Sequence, residues 1–279
     1  MKVQDQHRIK PKTQSCQTIV TGSAVNLTHG SLFSGVGGFE LGAAMSGIET
    51  IWNCEFEEHN RKILKKHFPG TEQYFDVNKM SNPKKVNIIS GGFPCQDLSI
   101  ANQSKKSLNE NGIKNGINGT RSGLWTEMWR IIGEVRPDYV ILENSPMLLI
   151  RGFERVLCDL SEIGYVCEWR CFTAAQFGYN HKRERFFAIA YPIEKRCKNN
   201  TQAFREFPKV LLKQPSRQNP ISIPIKRFDI NSNYENVRMD DGFSDGLDKT
   251  RIEMMGNAVV PEIAHYLFEC VKFHYENAS

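Results

Sequence analysis

Four side chains that could do chemistry stand beside short apolar runs of this 279-residue chain. They are Cys95 after the run 86–89, Glu143 after the run 139–142, and Arg183 and Arg185 just before the run 186–190. Each run has the length of a buried strand, and ligands bind where the strands of an open α/β sheet end. A thiol, a carboxyl group and two guanidinium groups gathered there could combine nucleophilic attack with acid–base and charge stabilisation.

A cysteine after a buried strand is, taken alone, more often a small core residue than a nucleophile. The interpretation therefore depends on the other groups. Side chains of a strand alternate with a period of two, so Arg183 and Arg185 are expected to share a face. One nucleophile, one carboxylate and two guanidinium groups are then predicted to converge on one pocket.

A glycine-rich turn supplies a second kind of site. Residues 32–41 read as a strand end, a turn and a helix start, which lets backbone approach a nucleoside closely. Glu55 follows a predicted strand at 51–53, where an acidic residue can bind ribose hydroxyls, and Phe56 could cover an adenine. The pattern suits an NAD enzyme as well as one that uses S-adenosylmethionine.

Strand, turn and helix alternate from residue 28 to about residue 190, which predicts an α/β fold with a doubly wound, mostly parallel sheet. The segment 75–77 is expected to end a further strand, and Leu124 to begin a helix. Pro261 is expected to open a last helix whose apolar stripe packs on the sheet beside the glycine turn.

Positive charge is concentrated outside the predicted sheet. The net charge is +5, and residues 191–237 hold nine Lys or Arg against four Asp or Glu. Residues 1–26 hold four against one, so the remainder of the chain is net negative. Basic segments beside an otherwise acidic domain are expected to contact nucleic-acid phosphates.

Eight cysteines show no pair at the spacing of a structural zinc site, so no metal is expected. The sequence shows neither a secretory signal nor an apolar run of membrane-spanning length. We therefore expect a cytoplasmic protein with reduced thiols and no membrane partner.

The order of these motifs resembles that of the cytosine-5 DNA methyltransferases of the bacterial and phage type. The resemblance covers most of the chain and rests on five segments: the turn 33–38, Pro94-Cys95-Gln96, Glu143-Asn144, the arginine segment 176–185, and the segment 256–261. Cys95 and Glu143 lie 48 residues apart, a separation that suits the family. Five motifs in order are much more specific than any one of them.

The resemblance implies S-adenosylmethionine as methyl donor, a Rossmann-like methyltransferase sheet and a duplex-DNA substrate. It assigns Cys95 to attack on cytosine carbon 6, Glu143 to the ring nitrogen N3, Arg185 to O2, and Arg183 to support of Glu143. It also implies a set of cofactor-binding residues: Phe33, Ser34, Gly35, Val36, Gly37, Gly38, Glu55, Phe56, Asp76, Val77, Pro94, Leu124, Asn257 and Val259.

Four parts of the chain follow from this interpretation. They are a basic arm at 1–26, a catalytic domain at 27–190, a small target-recognition lobe at 191–250, and a segment at 251–279 that returns to the catalytic domain. The segment 97–123, rich in Asn, Gly, Ser and Lys, is expected to be a lid that contacts DNA when the target cytosine is flipped out. A monomer is expected.

The sequence departs from the family in two places. Ser145 follows Glu143-Asn144 where many relatives carry valine, and no clear arginine-threonine element precedes the last motif. A tRNA cytosine-5 methyltransferase and an inactive DNA-binding relative stay open as alternatives. An NAD oxidoreductase would leave the cysteine and arginine motifs unexplained. The recognised bases, a partner restriction endonuclease and a host or phage role cannot be inferred.

Overall fold

The computed structural model of the chain describes residues 26–94, 123–195, 202–204 and 258–277. The predicted arm, the predicted lid and most of the predicted recognition lobe lie outside these residues, as do Cys95 and Asn257. The described strands are β1 Thr28–Leu32, β2 Glu49–Cys54, β3 Glu72–Tyr74, β4 Ile88–Gly91, β5 Tyr139–Asn144, β6 Tyr165–Thr173 and β7 Glu184–Pro192. The described α-helices are α1 Gly38–Met45, α2 Glu58–His67, α3 Leu124–Val135, α4 Leu148–Arg151, α5 Phe153–Glu162 and α6 Pro261–Asn277.

The seven strands form one sheet in the order β3-β2-β1-β4-β5-β7-β6. The pairs among β1 to β5 are all parallel, whereas β7 runs antiparallel to both β5 and β6. The strand order reverses direction between β1 and β4. Such a switch point leaves a crevice at the carboxyl ends of the strands, where ligands bind in open α/β sheets.

Helices cover both faces of the sheet, which confirms the predicted doubly wound, mostly parallel architecture. Along β5, Val140 and Leu142 pack toward α3 and α5, whereas Tyr139 and Ile141 pack toward α1 and α6. A strand that is buried on both faces carries apolar side chains on both, so polar and apolar residues do not alternate along it. This explains why β5 reads as a continuous apolar run in the sequence.

Two strand predictions need correction. The structure ends β3 at Tyr74, so the segment 75–77 follows the strand instead of ending it. Asp76 accepts a hydrogen bond from the backbone N–H of Asn78 and thereby caps a short 3-10 helix, Val77–Lys79. The strand expected at 86–89 lies at Ile88–Gly91, because these four residues are the ones that pair with β1 and β5.

The last helix, α6, begins at Pro261 as predicted and packs along α1, directly after the glycine turn. Its buried stripe contains the expected Ile263, Ala264, Leu267, Phe268 and Val271. The end of the described chain therefore returns to the sheet. In the part of the chain that the structure describes, no helix is both long and apolar enough to cross a bilayer.

Candidate active site

A cleft of about 770 Å³ opens at the carboxyl edge of the sheet. Its walls come from the residues that follow β1 to β4, from the end of β5 and from the start of β7. The lining residues are Phe33, Gly35, Val36, Cys54, Glu55, Phe56, Glu57, His59, Asn60, Phe75, Asp76, Val77, Asn78, Gly92, Phe93, Pro94, Leu124, Glu143, Asn144, Ser145, Arg183, Arg185 and Ala258. Three of the four predicted catalytic residues are among them, and the fourth, Cys95, lies outside the described residues.

Glu143 stands near the end of β5 with a side chain that is only 12% exposed. Its Oε1 lies 3.1 Å from Nε of Arg185. Burial raises the pKa of Glu143, and the charges of Arg185 and Arg183 oppose that rise without reversing it. The carboxyl group is thus biased toward its protonated form while it is held in place by a guanidinium group.

Arg185 and Arg183 reach the cleft because β7 runs antiparallel to β5. The amino end of β7 therefore lies at the same sheet edge as Glu143, and Phe187 pairs with Glu143 in the register. Arg183 precedes the strand by one residue, and its Nη1 donates to the backbone carbonyl of Ala258. This contact connects the arginine segment to the residues just before α6.

The pKa of Arg183 is lowered to about 10, chiefly by burial and also by the charge of Arg185, while the charge of Glu143 opposes both effects. The guanidinium group still carries its charge near neutral pH. Its Nε is buried and has no hydrogen-bond partner among the described residues, so it is an unsatisfied polar atom at the wall of the cleft.

Asn144 fixes the backbone that leads to Cys95. Its buried side-chain Nδ2 donates to the carbonyl oxygen of Phe93 at 3.1 Å, and its Oδ1 accepts from the N–H of Ser145 at 2.8 Å. Phe93 itself is buried against Trp125. The chain is therefore held beside Glu143 up to Pro94, the residue before Cys95.

The cofactor side of the cleft is organised by Glu55, which is buried. Its Oε2 accepts from the backbone N–H of Gly35 at 2.7 Å, and its Oε1 accepts from the N–H of Glu57 at 2.8 Å. Gly35 has a φ of +57°, and a Cβ there would point into open space. Glycine therefore serves the backbone conformation of the turn, and the cleft beside it is clear.

Asp76 offers a second acceptor at the same end of the cleft. Hydrogen bonds from the side chain and backbone of Asn78 reach its Oδ1 and lower the pKa of the carboxyl group, so it is ionised near neutral pH. Its Oδ2 lies 3.9 Å from Nζ of Lys79, in an ion pair. The carboxyl groups of Asp76 and Glu55 thus place hydrogen-bond acceptors at the same end of the cleft.

Most of the predicted cofactor-binding residues line this cleft. They are Phe33, Gly35, Val36, Glu55, Phe56, Asp76, Val77, Pro94 and Leu124. Four others do not line it: Ser34, Gly37, Gly38 and Val259. Ser34 donates its hydroxyl to Ser31, and Gly38 lies against the backbone of Val259, so these residues support the turn from behind.

Sequence reasoning missed several residues of the cleft. Phe75 and Asn60 line it, yet neither belongs to a motif, and Ala258, inside the segment 256–261, was not singled out. Asn60 donates to Oε1 of Glu55 at 3.3 Å, five residues away along the chain. The sequence gives one weak signal for Phe75, a large apolar residue beside the predicted acceptor Asp76.

A family model described as "C-5 cytosine-specific DNA methylase" matches residues 27–245. Type II methyltransferase M2.BsuMI of Bacillus subtilis is 35% identical over 172 residues, which cover 59% of this chain and 42% of that protein. Type II methyltransferase M.CviJI of Paramecium bursaria Chlorella virus IL3A is 29% identical over 242 residues, which cover 85% and 57%. The chain spans about half the length of these relatives.

Among solved structures, the methyltransferase EhMeth of Entamoeba histolytica has a TM-score of 0.50 and 20% sequence identity. The similarity covers 66% of this chain and 56% of that one. At this identity the comparison supports the fold of the sheet and its helices.

Proposed function

The chain belongs to the C-5 cytosine-specific DNA methylase family, and we propose that it transfers a methyl group from S-adenosylmethionine to carbon 5 of a cytosine in duplex DNA. One observation supports this most strongly. Glu143, Arg183, Arg185 and the residue before Cys95 border the same cleft as Glu55 and Asp76. A base-binding end and a nucleoside-binding end therefore share one continuous space.

Cys95 is the proposed nucleophile. Carbon 5 of cytosine is too weak a nucleophile to attack a methyl sulfonium. Addition of the Cys95 thiolate to carbon 6 makes carbon 5 the nucleophilic carbon of an enamine. The electron pair moves toward N3, where the protonated carboxyl group of Glu143 donates its proton. Carbon 5 then takes the methyl group and displaces the neutral thioether S-adenosylhomocysteine, while the N3 proton returns to Glu143. Loss of the carbon 5 proton to water expels the Cys95 thiolate and restores the aromatic ring.

The arginines act on the same base. The Arg185–Glu143 contact orients the carboxyl group, and the proposed contact of Arg185 with the cytosine O2 stabilises charge that develops on the ring. Arg183 supports the Glu143 side through its charge and positions the residues before α6 through Ala258. Both side chains thus contribute fixed positive charge where the ring becomes electron-rich.

The residues at the other end of the cleft fit S-adenosylmethionine. Glu55 would accept from the ribose hydroxyls, Asp76 from the adenine amine, and Phe56 would cover the adenine face. When bound, the cofactor supplies an electrophilic methyl group. Phe33, Val36, Val77, Pro94 and Leu124 would exclude water around it, with Ser34, Gly37, Gly38 and Val259 shaping the pocket from behind. The family resemblance assigns Asn257, which lies outside the described residues, to the same pocket.

The target base has to leave the duplex to reach this cleft, at a cost of about a few kcal/mol. We propose that the segment 97–123 closes over the flipped cytosine and that the basic segment 191–250 contacts the DNA. The relatives that match this chain are named type II methyltransferases, which supports a role in restriction–modification.

Gly92 tests whether the position of the Glu143 carboxyl group matters. A Cβ on Gly92 would lie 2.6 Å from Oε2 of Glu143, so the carboxyl group must move in Gly92→Ala. We expect the methylation rate to fall about 100-fold, since displacement by about 1 Å can cost that much. The free energy of unfolding should change by less than about 1 kcal/mol, because the atom that yields is the end of a flexible side chain.

The matched control is Gly133→Ala, in the last turn of α3, where a Cβ meets nothing within 4 Å. This control should keep the methylation rate and gain at most about 0.5–1 kcal/mol of stability from the better helix former. Tritiated methyl incorporation and urea unfolding measure the two effects. A Gly92→Ala protein that methylates as fast as Gly133→Ala would contradict the assigned position of Glu143.

The proposed function is tested by expressing the chain in a host that lacks cytosine methylation and sequencing the host genome after bisulfite conversion. We expect protected cytosines that share one short sequence, and no protection when Cys95→Ala is expressed at the same soluble level. Soluble wild-type protein without protected DNA cytosines would overturn the proposal. Bisulfite sequencing of tRNA from the same cells would then show whether RNA is the substrate.

A further inference from the structure

One side chain connects the two loops at the nucleoside end of the cleft. Arg61, on α2, donates through Nη1 to the backbone carbonyls of Glu55 at 3.1 Å and of Phe56. Its guanidinium carbon also lies 4.9 Å from the centre of the Phe75 ring. The loop after β2 and the loop after β3 are thus held by the same guanidinium group.

Each of these two loops carries an aromatic ring that is exposed in the cleft. Phe56 is 73% exposed and Phe75 is 61% exposed. Among the large apolar side chains that are exposed in the described part of the chain, only these two line the cleft. Exposed apolar surface inside a concave site indicates a ligand that covers it.

The contacts of Arg61 argue against a role in binding phosphate. Its Nη1 is directed at two carbonyl oxygens, and its guanidinium carbon lies over an aromatic ring. The carbonyl of Arg61 in turn accepts from Nε2 of Gln73 at 3.2 Å, which fixes α2 to β3. The side chain of Arg61 therefore connects the loop after β2 to the loop after β3.

We propose that Phe75 is a further cofactor-binding residue and that Arg61 is a positioning residue for the adenosine half of S-adenosylmethionine. This inference rests on the proposed function. Phe75 packs against the adenine from the side of Asp76, opposite the loop of Phe56. Arg61 keeps both loops at the spacing that the ring requires.

Arginine is needed for this geometry. A planar guanidinium group can stack on a ring and donate to carbonyl oxygens in its own plane at the same time, which a lysine ammonium cannot do. Arg61→Lys keeps the charge and the long side chain but loses this combination. The substitution therefore separates positioning from simple electrostatics.

Isothermal titration calorimetry of the full chain with S-adenosylmethionine, in the absence of DNA, measures the effect without catalysis. We expect Arg61→Lys to raise the Kd about tenfold and Phe75→Ala to raise it about fivefold. In the double variant the increase should be clearly smaller than about fiftyfold, because the two changes disrupt one contact. S-Adenosylhomocysteine, which shares the adenosine half, should show the same losses.

Two variants control for general effects. Arg155→Lys makes the same substitution on α5, where Arg155 pairs with Asp159 outside the cleft. Ile193→Ala removes an exposed apolar side chain that does not line the cleft. Both should bind S-adenosylmethionine as tightly as wild type, and thermal unfolding checks that every variant is folded.

The outcomes separate this inference from the proposed function. Wild-type affinity in folded Arg61→Lys and Phe75→Ala would overturn the inference and leave the proposed function standing. Strictly multiplicative losses would show that Arg61 does not act through Phe75 and would overturn its positioning role. A wild-type chain that binds neither S-adenosylmethionine nor S-adenosylhomocysteine would overturn both proposals.

Discussion

Replacing Cys95 with alanine is expected to abolish methylation, with a rate loss on the order of 10⁴-fold or more, since removing a nucleophile eliminates the covalent route. The thiol lies outside the described residues, but the chain on its amino side is fixed. Asn144 holds the carbonyl of Phe93, and Pro94 lines the cleft beside Glu143. The chain that leads to Cys95 is therefore anchored beside Glu143, at the base-binding end of the cleft.

A duplex that contains 5-fluorocytosine at the target site measures this directly. Fluorine blocks loss of the carbon 5 substituent, so the thioether to carbon 6 persists and survives denaturing electrophoresis. We expect such a complex with wild type and with Cys158→Ala, which removes an exposed thiol of α5. A complex formed by Cys95→Ala would show that another residue is the nucleophile.

The main features of the fold could be predicted from the sequence because its central strands are buried on both faces. β5 has no polar side, so Tyr139 to Leu142 form an apolar run that ends abruptly at Glu143. The turn at Gly35 to Gly38 is equally clear, since φ values such as +57° at Gly35 favour glycine. Short buried strands with polar ends therefore located most of the cleft in advance.

The edge of the sheet could not be predicted in the same way. β6, Tyr165–Thr173, was missed because it mixes Glu168, Trp169 and Arg170 with apolar residues and is only partly buried. Its pairing with β7 is a long-range contact that no local pattern reveals. An edge strand is constrained by one neighbour, so its sequence carries a weaker signal than that of a central strand.

The contacts within the site depend on three-dimensional pairing as well. The motifs placed Glu143 and Arg185 in one pocket, but only the antiparallel direction of β7 shows how the arginine reaches the carboxyl group. The contact between Arg61 and Phe75 likewise could not be predicted, since these residues are 14 positions apart and belong to no motif. Motifs identify which residue types are present, whereas the pairing of the strands determines which of these residues are in contact.

Glu143→Gln is expected to lower the rate of methylation by about 100-fold or more, a typical contribution of a general acid. Glutamine has nearly the same shape and can still donate to N3 and accept from the exocyclic amine of cytosine. It cannot transfer a proton as the ring becomes electron-rich. We therefore expect DNA affinity to change little and kcat to carry nearly the whole loss.

The pH dependence distinguishes this role from simple packing. Burial raises the pKa of Glu143, and the acid is the active form, so the wild-type kcat should fall as pH rises through that raised pKa. The thiolate of Cys95 is the nucleophile, so ionisation of its thiol gives the opposite trend, a rise of kcat with pH. Glutamine does not titrate, and Glu143→Gln should therefore lack the descending limb.

The control for this substitution is Glu184→Gln, which makes the same side-chain replacement between the two arginines at an exposed residue that does not line the cleft. Its pH profile should match that of wild type. Single-turnover rates measured across the pH range with saturating S-adenosylmethionine isolate the chemical step. If Glu143→Gln kept a descending limb at the wild-type position, proton donation would have to come from another group, and the raised pKa of Glu143 would be only a consequence of its burial.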